Sequence, residues 1–472
     1  MTVNGDVSFW YAESGLPAAR PPLDGDRAAD VAIVGAGYTG LWAAYALKRA
    51  DPSLDIIVVE RRFAGFGASG RNGGWLTNSI TGGREQYLAS HGRALVGRFQ
   101  TLMNEAVDEV ASVCAAEGID ADLVKGGELT VARTPAQRAR LEAFAASEAE
   151  FAEAGTTLLT AADTDARLRI EGTLAGLHHP HAARIQPAKL VQGLAAAVER
   201  LGVTIVEGTT VTEIRPRVPR GGGPRDAALV TDRGTVTARH VIRATEGFTA
   251  DLAGAHREWL PLNSSMIATE PLPASVWGQL GWEHRDVVGD MAHVYMYAQR
   301  TADDRIALGG RGVPYRYGSR VDSDGRTRAR TVAELTAILH EMFPAAASAR
   351  IDHAWSGVLG VPRDWRATVG LDRATGLGWA GGYVGTGVTT TNLAGRTLAD
   401  LVLQDRDARH ASELVTMPWV GHRADAWEPE PLRWLGVTAI YAAYRWADRS
   451  EERRGTPRSS AFAALADRIS GH

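Results

Sequence analysis

The residues in this chain whose spacing promises chemistry are glycines. Gly35, Gly37 and Gly40 stand as Gly-x-Gly-x-x-Gly, with Tyr38 and Thr39 between the second and third. In that pattern the first glycine permits a tight turn, the second lets backbone approach a pyrophosphate, and the third seats a helix close to a strand. The helix N-terminus then turns N–H groups and the positive end of its dipole toward phosphate. Glu60 follows Gly40 by about 20 residues, where a carboxylate accepts from both hydroxyls of an adenosine ribose and repels a 2′-phosphate. Glycines that merely permit a turn are the plainer reading. The flanking strand, helix and acidic residue favour an adenosine-diphosphate cradle, a feature shared by NAD and FAD proteins.

The elements around this motif read as a βαβ unit: strand 30–34, helix 41–50 and strand 56–59. Past Glu60 and Arg61 comes a second glycine-rich run, residues 65–74, containing Gly67, Ala68, Ser69, Arg71, Asn72, Gly73 and Gly74. Its backbone N–H groups suit a pyrophosphate, a ribityl chain and a flavin edge, where nicotinamide domains normally continue into another helix. A flexible surface loop is the alternative. The third glycine cluster, residues 380–387, brings Gly382, Tyr383, Gly385, Thr386 and Gly387, then Val388 and Thr389, to the start of a helix expected from about Thr391 to Leu403. N–H groups at a helix start suit the pyrimidine side of a flavin, and stabilising negative charge there raises its reduction potential.

Elsewhere the patterning predicts helices over 84–116 and 186–200, the latter with Pro187 in its first turn, and strands over 122–133, 203–207, 209–214 and 236–244. Residues 215–225, rich in Pro, Gly and Arg, read as a solvated loop. The tail beyond Met417 carries Trp419, Trp427, Trp434 and Trp446, expected to pack on the body. A chain of 472 residues exceeds one ordinary core, so two intertwined domains are expected. Hydrophobic content of 45% with 22% charge excludes disordered and collagen-like classes, and a net charge of −4 gives no reason to expect nucleic acid. Cys114 is the only cysteine, so no internal disulfide or cysteine metal cluster exists; a reducing cytoplasm is the expected location. The longest apolar stretch, 31–47, is broken by glycines and shorter than the roughly 20 residues of a membrane span, and the first residues lack a secretory pattern.

For a substrate, the strands expected over 291–298 and 305–311 carry the useful residues. Period-two alternation puts Met291, His293, Tyr295 and Tyr297 on one face, and a hairpin about Ala302 and Asp303 sets those rings against Ala307, Gly309 and Arg311. A substrate fits there, with Tyr295 and Tyr297 as walls and Arg311 as an anion anchor. An amphipathic surface hairpin with a structural His293 is the bland alternative, and Trp355 belongs either to a pocket or to the core. His178, His179 and His181 crowd together, but Pro180 breaks any helical ligand spacing and no carboxylate pattern accompanies them, so no metal is expected.

The opening 30–41, the run Gly-Ala-Ser-Gly-Arg-Asn-Gly-Gly and the return Gly-Gly-Tyr-Val-Gly-Thr-Gly together resemble the D-amino-acid oxidase and glycine oxidase superfamily, and most of all its γ-glutamylputrescine oxidase branch. Residues 9–12, 184–190, 267–272 and 304–311 add to the likeness, which runs in order to about residue 405. It is specific for FAD and fold, and much less so for substrate.

The resemblance implies an α/β protein: a Rossmann-type FAD-binding domain, a discontinuous α+β substrate domain with a mixed or antiparallel sheet, and a C-terminal helical tail. The expected division is 1–105, 185–260 and 345–405 for the FAD domain, 106–184 and 261–344 for the substrate domain, and 406–472 for the extension. By family position Val211 meets the adenine side, Ala244 and Thr245 pass the cofactor, and Gly385 to Thr389 contact the flavin ring. Glu246 and Thr368 depart from relatives, which often carry Asn or Gly and Pro there. FAD is expected to be non-covalent, since Gly70 and Arg71 occupy the neighbourhood of the attachment residue of some relatives. The expected chemistry is oxidation of the CH–NH bond of a small amine or amino acid by hydride transfer to flavin N5, giving an imine that hydrolyses to a carbonyl compound. O2 is the expected acceptor, with another acceptor open because Ala307 stands about where sarcosine-oxidase-like relatives carry a lysine. An FAD monooxygenase, disfavoured by the lack of a Gly-Asp pair near Gly385, and a non-catalytic flavin-binding protein are the rivals.

Overall fold

A computed structural model describes residues 2–220, 223–310, 315–321, 324–410 and 412–470. Two large sheets organise the chain. One is eight-stranded, in the order Val211–Arg215, Ala227–Thr231, Gly234–Arg243, Arg27–Val34, Ile56–Val59, Thr204–Val206, with Leu377–Gly381 also paired to Gly234–Arg243 and Thr368–Asp372 paired to Leu377–Gly381. Arg27–Val34 runs parallel to both Gly234–Arg243 and Ile56–Val59, the pairing of a nucleotide-binding sheet. Residues 31–34 and strand Ile56–Val59 are apolar and buried throughout, as strands covered on both faces are. Val31, Ile33, Ile56 and Val58 enter the core on one side, while Ala32, Val34, Ile57 and Val59 enter the core on the other.

Helix Tyr38–Ala50 connects the first two parallel strands and packs against helix Gly387–Arg406. The crossing is close: a methyl on Gly395 would lie 2.6 Å from the Trp42 carbonyl carbon. The second helix begins at Gly387, earlier than the expected Thr391. Its β-branched Thr390 and Thr391 look poorly helical, but their hydroxyls donate to the Thr386 and Val388 carbonyls at 2.8 and 3.1 Å, which satisfies them inside the helix.

The other sheet is nine-stranded and mostly antiparallel, in the order Val3–Asn4, Ile351–Val361, Leu260–Thr269, Ile306–Gly310, Tyr297–Arg300, Val287–Asp290, Glu128–Ala132, Ala175–His179, Thr157–Thr160. Helix Ala329–Met342 covers one face over a core holding Trp277, Trp282 and Phe343. The segment 345–405, expected on the FAD side, divides between the sheets: Ile351–Val361 pairs along its whole length with Leu260–Thr269, while 368–381 joins the eight-stranded sheet.

Two other expectations need correction. The strand expected over 291–298 does not form. Val287–Asp290 ends, the chain turns, and Tyr297–Arg300 begins, because side-chain carboxylates replace the ladder. Asp290 accepts from Met296 N at 3.1 Å, and Asp448 accepts from His293 N and Val294 N at 2.9 and 3.0 Å. His293, Tyr295 and Tyr297 therefore share no strand face, although the hairpin about Ala302 and Asp303 does form, with Arg300 opposite Ile306. Within residues 215–225, Val218–Arg220 pairs with Gly223–Arg225, a contact between main-chain groups that composition does not reveal.

After Gly387–Arg406 the tail forms helices Leu432–Arg454 and Ala461–Ser470. Trp419 and Trp427 are buried against the body as expected, whereas Trp446 is 57% exposed. Among the described residues no helix is long and apolar enough to cross a membrane.

Candidate functional site

A groove of about 210 Å³ opens at the C-terminal ends of the parallel strands Arg27–Val34 and Ile56–Val59. Gly35 makes the turn at φ 102°, and a methyl on it would lie 2.7 Å from the Ala244 carbonyl oxygen, so the turn and the end of Gly234–Arg243 touch backbone to backbone. Gly35, Gly37, Tyr38, Thr39, Glu60 and Arg61 line the groove from one side. Gly40 lies beneath, seating the helix on the turn. Glu60 is half-buried and bridges the motif: its oxygens accept from Ala36 N and Arg62 N, each at 2.9 Å. Burial pushes its carboxyl upward, against those donors.

The second glycine run divides between two jobs. Gly67, Ala68, Ser69 and Asn72 line the groove, and Ser69 Oγ accepts from Tyr38 N at 2.8 Å. Arg71 does not line it. Its guanidinium lies 4.4 Å over the Phe66 ring and donates to the Phe66 carbonyl at 2.8 Å, while its own carbonyl accepts from Trp355 Nε1 at 2.9 Å. Gly73 and Gly74 are required by the neighbouring sheet, since methyls there would meet the Tyr297 ring at 2.8 Å and Gln299 Nε2 at 1.9 Å.

The far end of the groove is built by the third cluster. Tyr383, Gly385, Gly387 and Val388 line it, whereas Gly382 packs on Pro362 and Thr386 pairs its hydroxyl with Thr81 at 2.6 Å. Val211, Ala244 and Thr245 line the groove as well. Helices Tyr38–Ala50 and Gly387–Arg406 both start here without a side-chain cap or an acidic residue in the first turn. In the second of them Thr389 Oγ1 and Asn392 Oδ1 are buried without a hydrogen-bond partner. Two uncapped helix starts facing one elongated groove, with a carboxylate at the strand end, fit a dinucleotide with anionic phosphates and a polar ring.

Glu246 is a site residue that sequence reasoning singled out only as a departure from relatives. It lines the groove at φ 44°, accepting from Gly360 N at 2.8 Å and Tyr383 N at 3.1 Å, so it ties the third glycine cluster to strand Ile351–Val361. Burial pushes its carboxyl up to about 7, against the pull of the Tyr383, Gly360 and Gly382 N–H groups. A folded value above the unfolded one means that ionisation favours the unfolded chain. Stability is therefore lost as pH rises from the unfolded carboxylate range near 4.3 through 7, and is level above it. Glu246→Gln is expected to remove that slope. The stability difference between variant and parent should change by about 2–3 kcal/mol between pH 5 and 8, measured by urea unfolding; a pH-independent difference contradicts the assignment.

A second cavity, of about 330 Å³, adjoins the groove through Tyr383, which lines both. Its walls include Tyr295, Trp365, Tyr441 and Tyr444, with His293 and Asp467. Tyr295 reaches over the glycine turn, its hydroxyl 3.9 Å from where a Gly385 methyl would stand. Of the expected substrate residues, His293 and Tyr295 come together here. Tyr297 lies across Gly309 with its hydroxyl 2.7 Å from Ser264 Oγ, and Trp355 is fully buried core against Phe9 and Trp10. Arg311 lies outside the described residues. Tyr441, Tyr444 and Asp467 were not legible as pocket residues, because the tail reaches the site only through tertiary packing.

His293, Asp448 and Glu451 place potential metal-binding atoms within 4.8 Å of one another. Their hydrogen bonds instead describe a junction: Glu451 accepts from Arg140 at 2.7 Å, Ser460 N at 2.7 Å and His293 Nε2 at 3.0 Å. His178 and His179 do have carboxylate neighbours, each at 3.3 Å: Asp286, just before strand Val287–Asp290, and Glu128, on strand Glu128–Ala132.

Comparison with known proteins agrees with this geometry. Residues 30–401 match the family model described as DAO, FAD dependent oxidoreductase. The chain is 30% identical over 441 residues to gamma-glutamylputrescine oxidoreductase of Escherichia coli (strain K12), covering 93% of this chain and 96% of that one. It is 24% identical over 395 residues to sarcosine oxidase subunit beta of Arthrobacter sp, covering 80% and 87%. The solved structure of glycine oxidase from Geobacillus kaustophilus superposes with a TM-score of 0.67 at 21% identity, covering 84% of this chain and 99% of that one. The chain thus belongs to the DAO family of FAD-dependent oxidoreductases.

Proposed function

We propose that the protein oxidises the CH–NH bond of a small amine or amino acid to an imine, which water converts to a carbonyl compound and a released amine or ammonia, with O2 as the acceptor. The observation that carries this reading is the pair of joined chambers: a groove fitted to FAD and an aromatic-walled cavity that meets it at Tyr383 and Gly385. Bound FAD supplies the hydride acceptor at N5 as the amine nitrogen lone pair forms the C=N bond. The protein's own contribution is positioning and exclusion of water. Tyr295, Trp365 and Tyr383 wall the reacting carbon, and no strong acid-base pair is required if the substrate enters as the neutral amine. Amine oxidation should therefore rise with pH as the substrate deprotonates. A profile without an amine-linked ionisation contradicts the route. Aldehyde or keto-acid production from an amine panel, with oxygen uptake followed in parallel, tests both substrate class and acceptor; product formed only with an artificial acceptor makes the protein a dehydrogenase.

The cofactor is held without a covalent bond. Among the described residues the groove lining contains no cysteine or histidine, and Cys114 is buried on helix Glu85–Glu117 outside it. Acid precipitation is expected to leave the yellow colour in the supernatant; flavin retained in the pellet contradicts this. A single buried cysteine fits a cytoplasmic location.

A further inference from the structure

We infer that the outward face of the C-terminal helices is a docking surface for an anionic lipid bilayer, holding the protein on a membrane that it does not cross. The inference is independent of which amine is oxidised.

Helix Leu432–Arg454 has two opposite faces. At about 3.6 residues per turn, Val437, Tyr441 and Glu451 fall on one side and are buried, and Tyr444 and Asp448 fall with them, toward the amine cavity and the His293 loop. Leu432, Leu435, Ala439 and Trp446 fall on the other side, and all four are exposed. For Leu432, Leu435 and Trp446 the exposure reaches 60%, 52% and 57%. Helix Ala461–Ser470, which packs on the first, adds exposed Phe462 and Leu465. Single exposed apolar side chains are ordinary, but a stripe along one helix marks an interaction surface.

Around and beyond Trp446 the exposed charge is of one sign. Arg445, Arg449, Arg453, Arg454 and Arg458 are exposed, and none of them makes a hydrogen bond or ion pair among the described residues. The carboxylates interleaved with them turn inward. Asp448 accepts the His293 and Val294 N–H groups, and Glu451 accepts from Arg140, His293 and Ser460. Of the acids within 445–458, Glu452 alone stays exposed. The whole chain carries a net charge of −4, so this basic end is a local feature.

An apolar stripe joined to unpaired arginines matches the boundary of a bilayer. Leucines and an indole enter below the headgroups while guanidinium groups stay at the level of the phosphates, and anionic lipid attracts each arginine near its surface. A second copy of the chain would bury the stripe but offer the arginines no acid besides Glu452. Nucleic acid would satisfy the arginines and leave the leucines and Trp446 in water. The bilayer satisfies both, and because the cavity walls lie on the opposite face of the helix, docking leaves them in place.

The test is co-sedimentation of the FAD-loaded protein with vesicles of phosphatidylcholine, alone or mixed equally with phosphatidylglycerol. We expect partitioning at least tenfold stronger on the anionic vesicles, and at least fivefold weaker there in about 1 M salt, where the screening length falls to about 3 Å. Both comparisons use the parent protein. Trp446→Ala and Arg449→Glu should each weaken partitioning at least fivefold at unchanged FAD content and thermal midpoint. Arg330→Glu, the same charge change on the exposed side of helix Ala329–Met342, should leave it within twofold. Absent binding, equal binding to the two vesicle types, or binding that survives both tail substitutions overturns the inference. So does a lipid-free dimer that Trp446→Ala dissociates in sedimentation velocity, since the face then belongs to a second copy.

Discussion

Gly40→Ala is expected to yield protein with more than tenfold less FAD than the parent and a much lower unfolding temperature. The new methyl would lie 2.1 Å from the Gly35 carbonyl oxygen and 3.1 Å from Ile33 Cγ2. The first contact is with backbone, so no rotamer change relieves it; the helix Tyr38–Ala50 must lift from the strand Arg27–Val34. Overpacking of this kind costs roughly 1–3 kcal/mol and more where backbone must move. The same displacement moves the uncapped helix start away from the phosphate end of the groove. Gly278→Ala is the control. It lies in helix Ala274–Leu280 with nothing within 4 Å of a new methyl, so it is expected to stabilise by about 0.5–1 kcal/mol through the unfolded chain. The ratio of flavin to protein absorbance and the thermal midpoint check both; full flavin at an unchanged midpoint in Gly40→Ala contradicts the packing account.

Trp355→Ala is expected to cost about 3–5 kcal/mol, the range for emptying a large aromatic site in a closed core. Trp355 is fully buried, its ring centroid 5.7 Å from that of Trp10 and 6.0 Å from that of Phe9. Its Nε1 donates to the Arg71 carbonyl. The loss falls at the seam where the second glycine run meets the nine-stranded sheet, so FAD retention should suffer with stability. Trp446→Ala, at a side chain 57% exposed, is expected to stay within about 0.5 kcal/mol. Urea unfolding of both variants measures the contrast; equal effects would show that Trp355 does not carry the seam.

The parts of the cofactor groove that were legible in sequence are those set by backbone requirements. The triplet at 35–40, the acidic residue ending the next strand and the glycine cluster before a helix are local patterns, because a turn or close approach is specified by its own residue. Arg71 and Gly73 show the limit of that logic. Both sit inside a cofactor-like run, yet one braces Phe66 and strand Ile351–Val361 and the other makes room for Tyr297. Composition cannot separate a glycine that faces a ligand from one that faces a neighbouring sheet. Glu246 was visible as an oddity, but its role depends on residues 246, 360 and 383 meeting in space. The strand expected over 291–298 failed for a related reason: alternation was present, but Asp290 and the distant Asp448 supplied the acceptors that a partner strand would have provided. The cavity wall from Tyr441, Tyr444 and Asp467 had no local signature at all, since aromatic residues on an amphipathic tail read first as packing.

The proposed function requires that an amine in the aromatic-walled cavity reduce FAD in the groove, the two meeting at Tyr383. Anaerobic mixing of the FAD-loaded protein with a panel of primary and secondary amines, followed at the oxidised-flavin absorbance band near 450 nm, tests it most directly. At least one amine is expected to bleach the band completely, with one equivalent of carbonyl product per FAD. A panel that leaves the band intact, including diamines and amino acids, while chemical reductant bleaches it normally would contradict it.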